Sequence, residues 1–383
     1  MTDFPDIPRR TEADAVEHRY PCEQCGADLH FAPGTTEVTC AHCGHVQTID
    51  ASGVDEGAAH REIDYAATIA GLVRDADYEE TRTTACPNCG AMVEFPEAVQ
   101  ATRCPFCDTA VVTDTGTHRQ IKPAGLVPFQ IDERRAREAM TKWLGKLWFA
   151  PNGLKEYARK GRAMTGVYVP YWTFDAQTET LYRGQRGDDY YETQTVMRGG
   201  KQETRQVRKT RWSHRKGRVA RFFDDVLVLA SRSLPKHHTD ALEPWDMTAL
   251  VTYQPQYLSG FSAEGYQIEL EDGMAEARAI MDRVIDGDIR HDIGGDHQRI
   301  DWKDTAVTDV TFKHVLLPVW TAAYRYRDRA FRFVVNAQTG KVSGERPWSW
   351  VKITIAVVLV LIVVVTVLVM TGGDNGGSVN FDF

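Results

Sequence analysis

The chain has 383 residues, eight of them cysteines, and a formal net charge of −8 at pH 7. A hydrophobic fraction of 43% with 26% charged residues excludes both a wholly disordered chain and a protein with many membrane spans. The negative net charge argues against a generic binder of nucleic acid. At about 150 residues per domain, the length predicts two or three folded units.

The cysteines of this chain are confined to its beginning. Residues 1–19 are polar, so we expect a disordered N-terminus without a secretory signal peptide. All eight cysteines follow before residue 108, in four C-x-x-C pairs, and the last two pairs repeat the first two with an offset of 64 residues. Phe31 and Phe95 hold the same place in this repeat, which indicates a duplicated module.

Each set of four cysteines has the spacing of a zinc ribbon. Two tight turns, each carrying two cysteines, bring four thiolates around one tetrahedral ion. We therefore expect two rubredoxin-like ribbons, at 20–50 and 84–114, and two structural Zn²⁺ ions per chain. The predicted ligands are Cys22, Cys25, Cys40, Cys43, Cys86, Cys89, Cys104 and Cys107. Redox-active C-x-x-C pairs and an iron–sulfur site are the alternatives, and neither has this arrangement as its usual pattern.

The sequence offers no catalytic machinery that we can assign. Four thiolates leave no open position on the zinc for a reacting water, and His42 and His45 beside Cys43 are expected to face solvent. The chain lacks the G-x-x-x-x-G-K-[ST] phosphate loop, the G-x-S-x-G elbow and the H-E-x-x-H metal motif. We expect no enzyme activity, with a role as accessory to a helicase as the alternative.

The remainder of the chain contains a second internal repeat. After a helical spacer predicted at 51–83, the sequence V-Y-V-P-Y-W-T at 167–173 resembles V-L-L-P-V-W-T at 315–321. A pattern typical of an amphipathic helix precedes each copy, at 131–147 and at 271–284.

Alternating strand patterns follow both copies of this motif. Helices combined with antiparallel strands imply the α+β fold class. We expect a duplicated α+β body made of one unit at 118–235 and a second unit at 236–346.

Positive charge is concentrated between Arg198 and Arg221, where ten Lys or Arg residues face a single acid, Glu203. Such a run can bind nucleic acid, anionic lipid or an acidic protein, or it can be a solvated hairpin or loop. The candidate anion-binding residues are Arg205, Arg208, Lys209, Arg211, Arg215, Lys216 and Arg218. A second polar segment, His291–His297, reads either as a metal site or as a Gly-Gly turn.

The C-terminal part contains an uncharged aliphatic run at 353–370. A run of this length predicts a transmembrane helix at 351–371, followed by a short extracytoplasmic tail at 372–383. Basic residues precede the run, and the positive-inside rule then places the bulk of the chain in the cytoplasm. The sequence therefore predicts a tail-anchored, single-pass protein of the bacterial inner membrane, with the lipid bilayer as one partner.

Several longer motifs carry a resemblance to one bacterial family. They are the two ribbons and the sequences GVYVPYWTFDA (166–176), FDDVLVLAS (223–231), LEPWD (242–246), DIGGDHQRI (292–300) and TFKHVLLPVWTAAYRY (311–326). The family has two zinc ribbons and often a C-terminal membrane helix, and its members are commonly labelled primosomal protein N-prime or replication-restart helicase-like zinc-finger proteins. Some relatives resemble membrane components encoded beside phage-shock-protein-A-like and SPFH-type proteins. The resemblance implies an adaptor in the envelope-stress response, without helicase activity because the motor motifs are missing.

Taken together, these patterns predict a non-enzymatic, membrane-anchored zinc-ribbon adaptor that recruits a cytoplasmic protein partner. The alternative is a nucleic-acid-binding zinc protein associated with replication or repair. No small-molecule substrate is expected.

Overall fold

In the computed structural model, a sheet of nine strands forms the body of the protein, and smaller sheets form the ribbons. The structure describes residues 20–49, 55, 57–71, 78–81, 83–94, 101–106, 109–112, 118–147, 164–198, 201–326, 329–345 and 349–372. The predicted disordered segment 1–19 therefore lies outside the described residues.

The strands in chain order are β1 (Leu29–Phe31), β2 (Glu37–Cys40), β3 (Val46–Thr48), β4 (Ile63–Asp64), β5 (Tyr78–Thr81), β6 (Thr83–Ala85), β7 (Met92–Glu94), β8 (Ala101–Arg103), β9 (Ala110–Val112), β10 (His118–Ile121), β11 (Gly125–Leu126), β12 (Thr165–Arg198), β13 (Lys201–Leu229), β14 (Val251–Thr252), β15 (Ser262–Ala263), β16 (His297–Tyr326), β17 (Arg329–Asn336) and β18 (Val342–Gly344). The helices are α1 (Tyr65–Ile69), α2 (Glu133–Gly145), α3 (Lys236–Asp240), α4 (Leu270–Ile293) and α5 (Trp350–Gly372). Short 3-10 helices occur at Ala58–His60, Met247–Ala249 and Pro255–Leu258.

Three long strands dominate the large sheet, in the order β13-β12-β16. They have 34 (β12), 29 (β13) and 30 (β16) residues, far above the usual strand length of about 3–10 residues. β12 pairs antiparallel with β13 from Tyr171 to Arg198 and with β16 from Thr165 to Gly187. Beyond Gly187, β12 and β13 continue as a two-stranded hairpin.

The two copies of the repeated motif pair with each other at the centre of the sheet. Val169 lies opposite Leu317, Tyr168 lies opposite Pro318, and Pro170 lies opposite Leu316. With the repeat offset of 148 residues, Tyr168 corresponds to Leu316 and Pro170 corresponds to Pro318. Exchanging the two copies of the motif therefore turns the Tyr168–Pro318 pair into the Pro170–Leu316 pair. The motifs are therefore related by a local two-fold axis between Val169 and Leu317. The short neighbouring strands are related in the same way. β15 pairs parallel with β12 at Val167, and β11 pairs parallel with β16 at the equivalent residue, Val315.

The two-fold relation extends to the helices that precede each motif. Trp172 Nε1 donates to the Ile268 carbonyl at 2.8 Å, and Trp320 Nε1 donates to the Ile131 carbonyl at 2.9 Å. Each acceptor lies two residues before the first residue of a helix, α4 and α2 respectively. The tryptophan of each half thus fixes the start of the helix in the other half, which ties both predicted units into one sheet.

Local sequence explains where these helices begin and which face they bury. In α2, the Asp132 side chain accepts from the Arg135 backbone N–H at 2.8 Å, a typical N-cap. α4 has two acids in its first turn and ends at Gly294, whose φ of +65° favours glycine. One face of α4 is buried against the long strands through Met274, Ala277, Met281, Ile285, Ile289 and Ile293.

The predicted α+β fold class is wrong. The structure is mostly β, with about 44% strand and 27% helix. The polar, charge-rich stretches after residue 176 and before residue 311 continue as strand, where a loop would be the ordinary expectation for such composition. Among the described residues of the predicted helical spacer, helix is limited to α1, with five residues, and the short 3-10 helix Ala58–His60.

The predicted transmembrane helix at 351–371 is also wrong. Among the residues that the structure describes, no helix combines the length and the apolarity needed to cross a membrane. The tail-anchored, single-pass topology and the inner-membrane location were inferred from this helix and are corrected with it.

Candidate metal centres and basic edge strand

The first ribbon gathers four sulfur atoms into one cluster. Cys22 Sγ lies 3.6 Å from Cys43 Sγ, and Cys25 Sγ lies 3.5 Å from Cys40 Sγ. All four ligand atoms lie within 4.8 Å of one another. Four thiolates bound tetrahedrally at about 2.3 Å would have sulfurs about 3.8 Å apart. The cluster therefore has the size of a Cys₄ metal site.

Identical backbone turns aim these sulfurs inward. The N–H of Gly26 donates to the Cys22 carbonyl at 2.8 Å, and the N–H of Gly44 donates to the Cys40 carbonyl at 3.0 Å. Both glycines have a positive φ, +72° and +74°, which side chains rarely tolerate. In the second ribbon, Gly90 makes the same bond to Cys86 at 2.8 Å with a φ of +76°. The positive φ explains the glycine at these three turns, whereas Asp108 follows the fourth C-x-x-C pair.

The second ribbon brings together Cys86, Cys89 and Cys104, with Cys89 Sγ 3.5 Å from Cys104 Sγ. The predicted fourth ligand, Cys107, lies outside the described residues. The N–H of Cys104 donates to the Thr109 carbonyl at 2.8 Å, as the N–H of Cys40 does to His45 in the first ribbon. Both clusters can therefore hold a metal ion of the kind that thiolates prefer, zinc among them.

Backbone donors favour the thiolate form of one cysteine of the first cluster, Cys40. The N–H of Cys43 donates to the Cys40 sulfur and lowers the pKa of that thiol to about 6, against the opposing effect of burial, and the N–H of His42 adds to the lowering. At Cys25 and Cys43, the backbone donors of Ala27 and His45 are outweighed by neighbouring thiols and burial, and the pKa is raised. Thiolates are the forms that bind metal. The predicted bystanders, His42 and His45, are not among the grouped ligands of the described residues, and the His42 side chain is exposed.

Both ribbons are anchored to the body rather than projecting from it. In the first ribbon, the Phe31 N–H donates to the Ser259 carbonyl at 3.0 Å, and the Phe31 ring packs edge-on against Tyr257. In the second, Gln267 Nε2 donates to the Gly90 carbonyl at 3.2 Å, and Thr321 Oγ1 donates to the Pro105 carbonyl at 2.9 Å. A metal bound in either ribbon would therefore stabilise the contact between the ribbon and the large sheet.

The predicted basic run forms β13, the edge strand of the large sheet. We call its outer side between Lys201 and Arg221 the basic edge; this stretch holds nine Lys or Arg residues and one acid. Four of the cations have a carboxylate partner, and the three pairs that involve an arginine have N–O distances of 2.6–2.7 Å. These pairs are Arg208 with Asp189, Lys209 with Glu192, Arg218 with Glu179 and Arg221 with Asp288.

The other candidate residues of the basic edge lack such partners. Among the described residues, no carboxylate lies within ion-pair distance of Arg205, Arg211, Arg215 or Lys216. The Arg211 guanidinium instead lies 5.7 Å from the centre of the Tyr190 ring. The structure thus separates the seven predicted residues into three that neutralise the sheet's own acids and four whose charge is available.

The face of the long strands opposite α4 is uncovered in the described structure and carries aromatic and basic side chains. Trp302 is 47% exposed and Phe222 is 57% exposed. The Arg183 guanidinium lies 5.4 Å from the Trp302 ring centre, and that of Arg299 lies 4.1 Å from the Trp212 ring centre. One side of each tryptophan ring is therefore already occupied by a cation.

The His291–His297 segment joins α4 to β16. Gly294 and Gly295 both have positive φ, and Asp292 accepts from the Tyr182 hydroxyl at 2.5 Å. His297 Nε2 lies 3.2 Å from an Asp189 carboxylate oxygen, and the described residues hold no grouped metal ligands here. The Gly-Gly turn accounts for this sequence.

A charge cluster under β16 has no counterpart among the predicted sites. Lys313, with a side chain only 5% exposed, forms ion pairs with Glu62 and with Asp225, the latter at 2.9 Å. Burial alone lowers the pKa of Lys313, but these two carboxylates outweigh it and leave the pKa raised. Asp175 accepts from the Asp225 N–H at 2.7 Å, and burial raises its pKa to about 6. The three carboxylates are spaced like metal ligands, but the lysine ammonium already occupies the position of a cation.

The comparisons with known proteins add a relative but no function. No protein-family profile matches the chain, and no solved structure matches it. The chain is similar to YdjG of Bacillus subtilis (strain 168), which is described as an uncharacterized protein, with 28% identity over 338 residues. The alignment covers 87% of this chain and 91% of YdjG, so the likeness extends over nearly the whole length of both proteins.

Proposed function

We propose that the protein is a zinc-stabilised, non-enzymatic adaptor whose long-stranded arm binds a protein partner. The proposal assigns one structural Zn²⁺ to each ribbon, with Cys107 completing the second site. Thiolate clusters of this size favour zinc, and closed Cys₄ sites are typical of structural ions. Because both ribbons are bonded to the large sheet, the zinc stabilises the platform and takes no part in chemistry.

The observation that carries the adaptor role is the hairpin beyond Gly187. From Asp188 to Arg198, β12 pairs only with β13, so 11 residue pairs extend past the three-stranded sheet. At about 3.3 Å per residue this hairpin reaches about 36 Å. Core formation does not require such an extension, since its side chains are largely exposed. An exposed, rigid, charged arm on a metal-stabilised body is suited to holding another macromolecule.

The experiment removes the arm and leaves the body. In the test variant, residues 189–210 are replaced by Asn-Gly, which joins Asp188 to its ladder partner Arg211 through a two-residue turn. We expect the zinc-loaded wild type to retain a specific protein from a cell extract, and the purified partner to bind it directly. The shortened variant should lose this partner and keep two zinc ions per chain by metal analysis. If no protein binds the wild type specifically, the adaptor proposal is wrong.

Nucleic acid is the second candidate, and the uncovered sheet face with Trp212 and Trp302 is the observation that favours it. Aromatic rings beside cations can stack bases of single strands, and such binding weakens steeply with salt. Titration with single-stranded DNA at two salt concentrations tests this candidate. Tight binding that the double variant Trp212→Ala/Trp302→Ala abolishes would favour it over the adaptor role.

A further inference from the structure

We propose that the basic edge of β13 takes up an acidic β-strand of a protein partner by antiparallel strand addition. This inference rests on the proposed adaptor function and names the chemistry of its partner. An edge strand offers unpaired backbone N–H and C=O groups at every second residue, and an added strand binds them while side-chain pairs select its sequence.

The backbone of β13 is available over an unusual length. Within the described part of the chain, β13 pairs with β12 alone, and no strand lies on its other side. The 21 residues from Lys201 to Arg221 extend about 70 Å at about 3.3 Å per residue. A partner strand of ordinary length therefore occupies only part of this edge, and the charges decide which part.

The available cations define that part. Arg205, Arg211 and Arg215 have no carboxylate partner among the described residues, and they are separated by six and four positions. Even separations along a strand place all three side chains on the same face of the sheet. An antiparallel strand facing them needs acids at relative positions 1, 5 and 11, opposite Arg215, Arg211 and Arg205 in turn. Opposite charges directly across two strands attract, and like charges repel.

An acidic protein strand fits this edge better than the other occupants. A second copy pairing through its own β13 would set cations against cations. Nucleic acid would need free ring faces, and the rings of Trp212 and Trp302 each have an arginine on one side. Nucleic acid would also meet Asp189 and Glu192, the acids that pair with Arg208 and Lys209.

The probe is an eleven-residue peptide, capped at both ends and labelled with a fluorophore. It has Glu at positions 1, 5 and 11 and alternating Thr and Val elsewhere. Binding to the zinc-loaded full chain is measured by fluorescence anisotropy. The variant Arg205→Glu/Arg211→Glu/Arg215→Glu should weaken binding at least tenfold, because three attractive cross-strand pairs become repulsive. The matched control Arg135→Glu/Lys142→Glu/Lys146→Glu makes the same change of charge on and just after α2, and it should bind the peptide as the wild type does.

Two N-methylated peptides separate strand addition from simple charge attraction. Every second N–H of an added strand points at β13, so methylation of one alternate set should abolish binding while methylation of the other set leaves it. If both peptides bind equally, or if the Arg→Glu variant binds like the control, the inference is wrong. Tighter binding of an eleven-nucleotide oligothymidylate than of the peptide would also overturn it, as would self-association of the chain that the Arg→Glu variant abolishes.

The outcome for the adaptor function is read separately. A natural partner that depends on residues 189–210 but binds the Arg→Glu variant normally refutes strand addition alone. The absence of any specific partner refutes the adaptor function itself.

Discussion

A histidine at the centre of the body should make the stability of the protein dependent on pH. His314 lies on β16 beside Lys313, with its ring centre 5.0 Å from that of Trp172 and 5.5 Å from that of Tyr266. Its Nδ1 lies 2.7 Å from the Ile121 carbonyl and donates to it, and the buried Nε2 has no hydrogen-bond partner among the described residues. Burial lowers the pKa of His314 to about 4, so the ring is neutral in the folded protein.

The sign of the effect follows from the proton count. Unfolded, the histidine titrates near pH 6.5, so below that pH the unfolded chain binds a proton that the folded chain does not. The contribution of His314 to the free energy of unfolding is then constant above about pH 7 and falls as the pH drops towards 4. For pKa values of about 6.5 and 4, the loss between pH 7.5 and pH 5 is about 2 kcal/mol.

The variant His314→Phe keeps an aromatic ring but cannot titrate. At pH 7.5 we expect it to be less stable by about 1–3 kcal/mol, because the buried Ile121 carbonyl loses its donor. At pH 5 this deficit should shrink by about 2 kcal/mol. Urea unfolding of both proteins at each pH measures the difference. Loss of zinc at low pH affects both proteins alike and cancels in the comparison. A deficit that stays the same from pH 7.5 to pH 5 would refute the assignment of a buried neutral histidine.

Substitutions at four further positions test the body and the base of the arm, the first three positions by urea unfolding. Lys313→Met leaves two partly buried carboxylates, Glu62 and Asp225, without their cation and should cost about 2–4 kcal/mol at pH 7.5, whereas Lys313→Arg should retain most of the stability. Trp172→Phe and Trp320→Phe each remove a donor from a carbonyl that precedes a helix, and each should cost about 1–3 kcal/mol. Values that differ by more than about 2 kcal/mol would contradict equivalent roles for the two halves. Gly184→Ala places a Cβ 2.3 Å from the Arg299 carbonyl, so it should destabilise the β12–β16 pairing and increase hydrogen exchange in the arm.

The metal clusters could be predicted from the sequence because their geometry is local. A C-x-x-C-G turn sets two sulfurs by itself, and the 64-residue repeat gives the second site from the first. The helices α2 and α4 begin within two residues of the predicted stretches, since caps and apolar periodicity are also local signals. The charge cluster under β16 has no such signal. Its carboxylates at positions 62, 175 and 225 and its lysine at 313 meet only after the sheet has formed.

The long strands escaped the sequence analysis for a different reason. From Gln177 to Thr180, exposed and buried residues alternate, but the exposed ones are polar and the buried ones are threonines. The alternation typical of a strand can be recognised in a sequence only when the buried residues are apolar and the exposed ones are polar. In this stretch both sets are polar, so the sequence does not indicate a strand. The Arg-rich run of β13 is equally ambiguous, since cations on an edge strand and cations in a solvated loop have the same composition.

The repeat separates the packing and metal-binding elements of this protein from the arm to which we assign partner binding. The central motifs, the short strands β11 and β15, the two helix starts and the ribbon contacts have counterparts in both halves, and all of them serve packing or metal binding. The long hairpin breaks the symmetry. β12 continues for 34 residues, from Thr165 to Arg198. With the offset of 148, Thr165 corresponds to Lys313 in β16. From that residue β16 continues for only 14 residues and ends at Tyr326. A duplicated core needs no such extension, and its exposed, charged strands add no apolar burial that would stabilise the fold. The proposed adaptor role therefore depends on this asymmetry rather than on the zinc.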